Sequence, residues 1–396
     1  MELLAPAGNI EKLAYAYRYG ADAAYIGLKQ FSLRARAENF HADEFARIVT
    51  LKGNKKLYAA INIFFHQPDL RALKENLDYI AAYPLDALIV SDIGAARILR
   101  EAFPDTPLHL STQANCINAE AVKSYRDLGF SRIILGRETA LNEIAEIKAA
   151  VPEVELEAFV HGAMCLAYSG RCFLSASMAD RSANEGFCSH SCRWNYRVLE
   201  ESERPGEYYP VEEGENFTTI LSSKDLCMID HLQALHDAGI DSIKIEGRMK
   251  SIYYTAVVTR AYRKALDAIG GQGDPDLPAY REELFNVSHR EYSTGFYFGK
   301  DEISIPTEKS YQRRFVFLGS LGGRVEEGLF ELDVKNQIRN EDELQFIGPD
   351  TPFIAGSEWE ILDEELQPVE KADHGKAYYI KTALPLEEGF IVRKEA

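Results

Sequence analysis

The sequence predicts an α/β protein: a (β/α)8 TIM-like barrel with a cysteine-rich insertion after its seventh strand and a small C-terminal β-barrel domain. Three features carry that prediction. Eight short apolar runs recur over the first 250 residues, helix-length segments separate most of them, and from about residue 307 short alternating strands take over. Unbroken apolar runs suit parallel strands covered on both faces, and eight strand–helix units suit a closed barrel.

Taken in order, ELLAPA is the first strand, and Asn9 to Gly20, with Leu13, Ala14, Ala16 and Tyr17 at helical spacing, is the helix after it. Further strands are expected at 23–27, 56–62, 87–90, 108–112, 132–136, 156–160 and 242–246, with helices such as Asp69–Tyr83 and Ala119–Leu128 between them. The barrel domain is assigned to residues 1–270 and includes the cysteine-rich insertion at 161–229, a length that marks a functional or ligand-stabilised segment. Residues 271–306, opening on GGQGDPDLP, are read as linker and connector. RRFVFLG, GLFELDV, ELQFIG and AYYIKTA then supply strands of a small β-barrel at 307–396.

Chemistry in such barrels gathers just beyond the C-terminal ends of the strands. Those positions hold the PAG of residues 6–8, Asn62, Ser91 with Asp92, Thr112 and Gln113 with Asn115, Arg137 with Glu138, His161, and Glu246 with Arg248. Ser91 and Asp92 read as helix caps. His161 is a candidate for proton transfer or substrate binding. Lys244 and Glu246 share a strand face and are expected to form an internal ion pair, which leaves Arg248 for an anion. Arg34, Arg36 and Arg137 could clamp carboxylates. Glu157 reads as a structurally paired buried carboxylate, and Cys116 as a buried or mouth-lining thiol.

The 396 residues carry a formal net charge of −18. That excludes a general nucleic-acid coat, whose affinity comes from Lys and Arg neutralising phosphates, but not an enzyme that needs a local basic track and a pocket for one extruded base.

Four of the six cysteines, Cys165, Cys172, Cys188 and Cys192, fall within 28 positions, and Cys227 follows. The stretch MELLAPAGNIEKLAYAYRYGADA has no signal-peptide pattern and no run approaches a membrane span, so a cytoplasmic location with reduced thiols is expected rather than disulfides. Structural zinc fits only Cys188-x3-Cys192. An iron–sulfur cluster needs four converging thiolates and no fixed spacing; it is the favoured account, with zinc and incidental cysteines left open. No G-x-S-x-G elbow or H-E-x-x-H helix supports proteolysis, and a Cys165 nucleophile activated by His161 leaves the other cysteines unexplained.

Glu157 to Cys172, E-x-F-x-H-G-A-M-C-x-A-Y-S-G-x-C, resembles the signature of the peptidase U32, or collagenase-like protease, family. The likeness continues through ADRSANEG, the CRW that follows it, and SKDLCMIDHLQALHDAGIDSIKIEGRMKSIYY, and covers essentially the whole chain. It is nearest to the tRNA-hydroxylating branch. The resemblance implies a [4Fe–4S] cluster on Cys165, Cys172, Cys188 and Cys227, with Cys192 as the alternative ligand. It also implies tRNA as partner, prephenate as co-substrate, and hydroxylation of the wobble uridine (U34) to 5-hydroxyuridine. On that reading His161, Glu246 and Arg248 serve the chemistry, and Arg34, Arg36, Asn62, Gln113, Asn115 and Arg137 hold substrate. Ribosomal-RNA cytidine hydroxylation, O2-independent hydroxylation of a small aromatic with a partner protein of the same family, and collagenase-like proteolysis are the alternatives.

Overall fold

The structure, a computed structural model, describes residues 1–28, 31–32, 44–164, 172, 179, 188–189, 191, 212–214, 217–219, 224–299 and 311–396. Its contacts divide the chain into two units: Met1–Tyr17, Ala21–Lys250 and Arg290–Ser310 form the first, and Arg18–Gly20, Ser251–His289 and Tyr311–Ala396 the second.

All eight expected barrel strands form in the first unit. β1 (Glu2–Pro6), β2 (Ala23–Gly27), β3 (Lys56–Ile61), β4 (Ala87–Val90), β5 (Leu108–Leu110), β6 (Phe130–Ile134) and β7 (Glu155–Ala163) lie side by side in chain order, each parallel to the next. After a hairpin of β8 (Glu212–Gly214) and β9 (Phe217–Thr219) come β10 (Asp225–Cys227) and β11 (Ser242–Ile245). β11 pairs in parallel with both β7 and β1, so the barrel closes. β10 runs antiparallel to the end of β7, opposing Cys227 to His161, and pairs in turn with β12 (Tyr292–Ser293) from the expected connector.

The helices follow their local signals. Asn118 caps Ala119–Asp127 by accepting from the Ala121 N–H, and Asp92 caps Ile93–Ala102 by accepting from that of Ala95. The expected helix over 69–83 instead breaks at Asn76 into Gln67–Glu75 and Leu77–Ala81. The Asn76 carboxamide donates to the Ala72 carbonyl at 2.8 Å, the local competition that makes Asn a poor interior helix residue.

Side chains alternate along parallel strands, so the barrel fills in layers. The layer at its N-terminal end is ionic. Arg132 reaches Glu2 at 2.5 Å, Glu155 at 2.8 Å and Glu157 at 3.3 Å, and Lys244 reaches Glu157 at 2.9 Å. The Tyr58 hydroxyl and Lys56 both donate to Glu2. Lys244 therefore pairs with Glu157 rather than with Glu246, because the β7–β11 register sets Lys244 opposite Phe159, two residues beyond Glu157. Burial lowers the Lys244 ammonium pKa, and the Glu157 carboxylate opposes that shift.

The second unit has its own core. β13 (Phe315–Glu326), β14 (Leu329–Val334), β16 (Leu344–Ile347), β17 (Ile354–Gly356), β18 (Trp359–Leu362), β20 (Tyr378–Thr382) and β21 (Ile391–Glu395) make one antiparallel sheet, while β15 (Ile338–Arg339) and β19 (Lys371–Ala372) pair separately. The large sheet runs from β17 to β18, and among the described residues no pairing joins these two edges, so it forms a half-barrel around Leu318, Phe330, Phe346, Ile361, Ile380 and Val392. Helix Ile252–Ile269 also belongs to this unit. There Arg393 makes a buried pair with Glu283 at 2.5 Å and donates to the Tyr253 hydroxyl at 2.7 Å, and Arg260 donates to the Gly348 and Thr351 carbonyls at 2.6 Å.

Candidate functional site

The polar ring predicted for the strand ends is present, and the structure sorts it into neutral and charged sides. Asn62, directly after β3, donates from Nδ2 to the Ser111 hydroxyl at 3.1 Å. Ser111 also starts the short 3-10 turn Thr112–Ala114, which buries Gln113 and ends on Asn115 in a left-handed conformation (φ 55°). Asn suits that backbone region better than most residues do. Between them, Ser91 follows β4; its hydroxyl is buried and finds no hydrogen-bond partner among the described residues.

The other side is charged. Arg137, after β6, lays its guanidinium on the Phe159 ring at 4.1 Å and faces Glu246 across 3.7 Å, beyond hydrogen-bond length. Both residues are largely buried. Arg248 is buried as well, and its guanidinium carbon lies 5.8 Å from the Tyr25 ring centre. Gly27 makes that position possible, since an added Cβ would collide with the Arg248 guanidinium; at Gly8 one would collide with the Arg248 carbonyl. Arg248 is thus packed into the barrel wall, not left in the open beyond the strand.

His161 is held from three sides. Its backbone pairs with Cys227 and Ile245, its carbonyl accepts from the Glu246 N–H at 2.9 Å, and its Nε2 lies 3.4 Å from the Tyr292 hydroxyl. Opposed residues of an antiparallel pair project to the same face, so the Cys227 thiol and the His161 ring are neighbours. Burial, then the nearby Cys227 and Asp225 charges, push the Tyr292 phenol well above its ordinary range. β10 and β12 are fixed beneath by Arg290, which bonds Asp225 at 2.7 and 3.0 Å and the Met164 carbonyl at 3.1 Å. Burial raises the Asp225 pKa, but Arg290 outweighs it and holds the carboxyl below its ordinary value.

Cys172, Cys188 and Cys227 are half-buried and form no disulfide. Reduced, partly shielded thiols are the donor chemistry an iron–sulfur cluster takes. Among the described residues, no group of three or more His, Cys, Asp or Glu converges as a metal site. Cys165 and Cys192, and likewise Arg34 and Arg36, lie outside the described residues. Cys116 is fully buried, and burial pushes its thiol up to about 12. Among the described residues, no helix is long and apolar enough to cross a membrane.

Residue-type reasoning missed Tyr292, placed in a connector, and Ser111, one residue short of the positions singled out. Strand parity was the available signal for Ser111, because it lies two residues beyond His109. Nothing local marks Tyr292, whose position depends on the long-range β10–β12 pairing.

The family model described as "Peptidase family U32" matches residues 8–305, and that described as "Peptidase family U32 C-terminal domain" matches residues 313–393. The chain belongs to peptidase family U32. Within U32, it is 37% identical over 391 residues to "tRNA hydroxylation protein P" of Escherichia coli (strain K12), covering 88% of this chain and 86% of that one. It is 37% identical over 382 residues to "tRNA hydroxylation protein P1" of Bacillus subtilis (strain 168), covering 94% and 89%. It is also 30% identical over 407 residues to "Collagenase" of Porphyromonas gingivalis (strain ATCC BAA-308 / W83), covering 98% and 95%.

Proposed function

We propose that this U32 protein hydroxylates RNA, and that its substrate is the wobble uridine (U34) of tRNA, converted to 5-hydroxyuridine with prephenate as co-substrate. The observation that carries the reading is the likeness, over nearly nine-tenths of the chain, to proteins named for tRNA hydroxylation. The barrel mouth supports it with a group that can receive an anionic co-substrate. A dicarboxylate fits a site where Arg137 already stacks on Phe159 and sits too far from Glu246 to be fully satisfied by it.

Cys165, Cys172, Cys188 and Cys227 would hold a [4Fe–4S] cluster, with Cys192 as the alternative ligand; bound there, it would supply one-electron chemistry. His161, beside Cys227 and Tyr292, is placed to hold or move a proton at Nε2. Glu246 orients Arg137, and Arg248 shapes the wall behind both. Arg34 and Arg36 are further candidates for the co-substrate carboxylates.

The test is nucleoside mass spectrometry of tRNA from cells lacking the gene. Loss of 5-hydroxyuridine, restored by the wild type but not by Cys227→Ala, supports the proposal; unchanged tRNA with altered ribosomal RNA redirects it to a ribosomal cytidine. The relative named collagenase gives proteolysis a separate hearing. Gelatin cleavage by purified protein, retained in Cys172→Ala, would favour that second reading.

A further inference from the structure

We propose that the mouth is divided by charge and that its neutral side, formed by Asn62, Ser91 and Ser111, reads the pyrimidine of the extruded nucleotide, with Ser91 as a binding residue. The inference rests on the RNA-hydroxylation reading above and assigns that reading's substrate to one side of the site.

Three consecutive strands end in these residues. The registers pair Ala60 with Ile89 and Ile89 with His109, so Asn62, Ser91 and Ser111, each two positions further on, share the inward parity of the His109 ring, which packs against Tyr58 inside the barrel. The Asn62 carboxamide reaches Ser111 across the strand that carries Ser91. Ser91 is not spent as a helix cap, because Asp92 fills that role. Its buried hydroxyl has no partner among the described residues, a costly arrangement unless a ligand completes it.

Apart from Asp92, whose carboxylate is engaged by the Ala95 N–H, the charged strand-end groups among the described residues stand elsewhere on the ring. Arg137, His161 and Glu246 follow β6, β7 and β11, and β11 lies four places from β4 in the eight-strand circuit. A uracil offers two carbonyl acceptors, one N–H donor and no charge. Hydroxyls and a carboxamide match both roles and can follow the Watson–Crick edge of an extruded base. An anionic co-substrate belongs beside the guanidinium instead, so the two substrates take neighbouring arcs of the ring, β3 to β5 for the base and β6 onward for the anion, and meet over the centre of the barrel.

The test is fluorescence anisotropy with anticodon stem–loops carrying uridine or an abasic site at the wobble position. The wild type should prefer the uridine loop, and Ser91→Ala should lower that preference about 5-fold, the worth of one neutral hydrogen bond. Ser91→Thr should restore most of it, and Asn62→Ala should weaken it as Ser91→Ala does. Arg137→Ala should leave it unchanged. A preference retained in both Ser91→Ala and Asn62→Ala overturns the proposal while leaving the hydroxylase reading intact. A wild type that binds neither loop overturns both.

Discussion

The two ends of the barrel use similar residues in opposite ways. At the N-terminal end, Arg132, Glu2, Glu155, Glu157 and Lys244 are joined by contacts of 2.5 to 3.3 Å, and each buried charge meets its counter-charge. At the C-terminal end, Arg137 and Glu246 stand 3.7 Å apart, Tyr292 and His161 3.4 Å apart, and the Ser91 hydroxyl is unmatched among the described residues. The base closes on itself in short ion pairs, whereas at the mouth the Arg137–Glu246 pair is longer and the Ser91 hydroxyl has no partner among the described residues.

That contrast can be broken first at the base. Lys244→Met should leave Glu157 with one fewer counter-charge and lower unfolding stability by about 3–5 kcal/mol in urea titrations, as expected for removing one partner of a buried pair. A loss under about 1 kcal/mol would mean the base is not structural. At the mouth, Arg137→Ala should lower kcat/KM for the anionic co-substrate roughly 10- to 100-fold, the loss of a charged hydrogen-bond partner. Its stability should fall by only about 1 kcal/mol, the loss of one stacked side chain, well short of the Lys244→Met effect. A melting shift as large as that of Lys244→Met would erase the distinction.

The smallest effect is on pH dependence. Burial, then the Arg132 charge, hold His109 far below its ordinary 6.5, so it folds neutral. Its stabilisation is present above that value and is lost as pH falls below it. Glu2, pushed up by burial but pulled down further by Arg132 and Lys56, lies at about 2 against an ordinary 4.5, so its share is lost as pH falls from 4.5 towards 2. Thermal melts should decline in these two stages, and His109→Gln should remove the first. A flat profile between pH 7 and 5 in the wild type would contradict the neutral, buried histidine.

Much of this architecture was legible beforehand. The eight strands announce themselves because buried parallel strands are apolar without interruption, and Asn62, Gln113, Arg137, His161 and Glu246 could be named because barrel chemistry sits at strand ends. What pairs with what was not legible. Lys244 and Glu246 share strand parity, yet Lys244 bonds Glu157 from the neighbouring strand. Arg248 looks free in the sequence but is received by two glycines, Gly8 and Gly27, far away in the chain. Tyr292 reaches His161 only because β12 adds to β10. Strands β15, β17, β18, β19 and β21 escaped notice because short antiparallel pieces carry weak periodicity.

The claim at the centre of this account is that the mouth is a redox RNA-modification site supported by the cysteines. Its most direct test is incubation of anaerobically purified protein with unmodified tRNA and prephenate, scored by nucleoside mass spectrometry alongside iron and sulfide analysis of the same sample. The account predicts 5-hydroxyuridine at the wobble position and iron and sulfide matching one [4Fe–4S] cluster, both lost in Cys227→Ala. Iron-free protein that leaves tRNA unchanged while cleaving gelatin would contradict it.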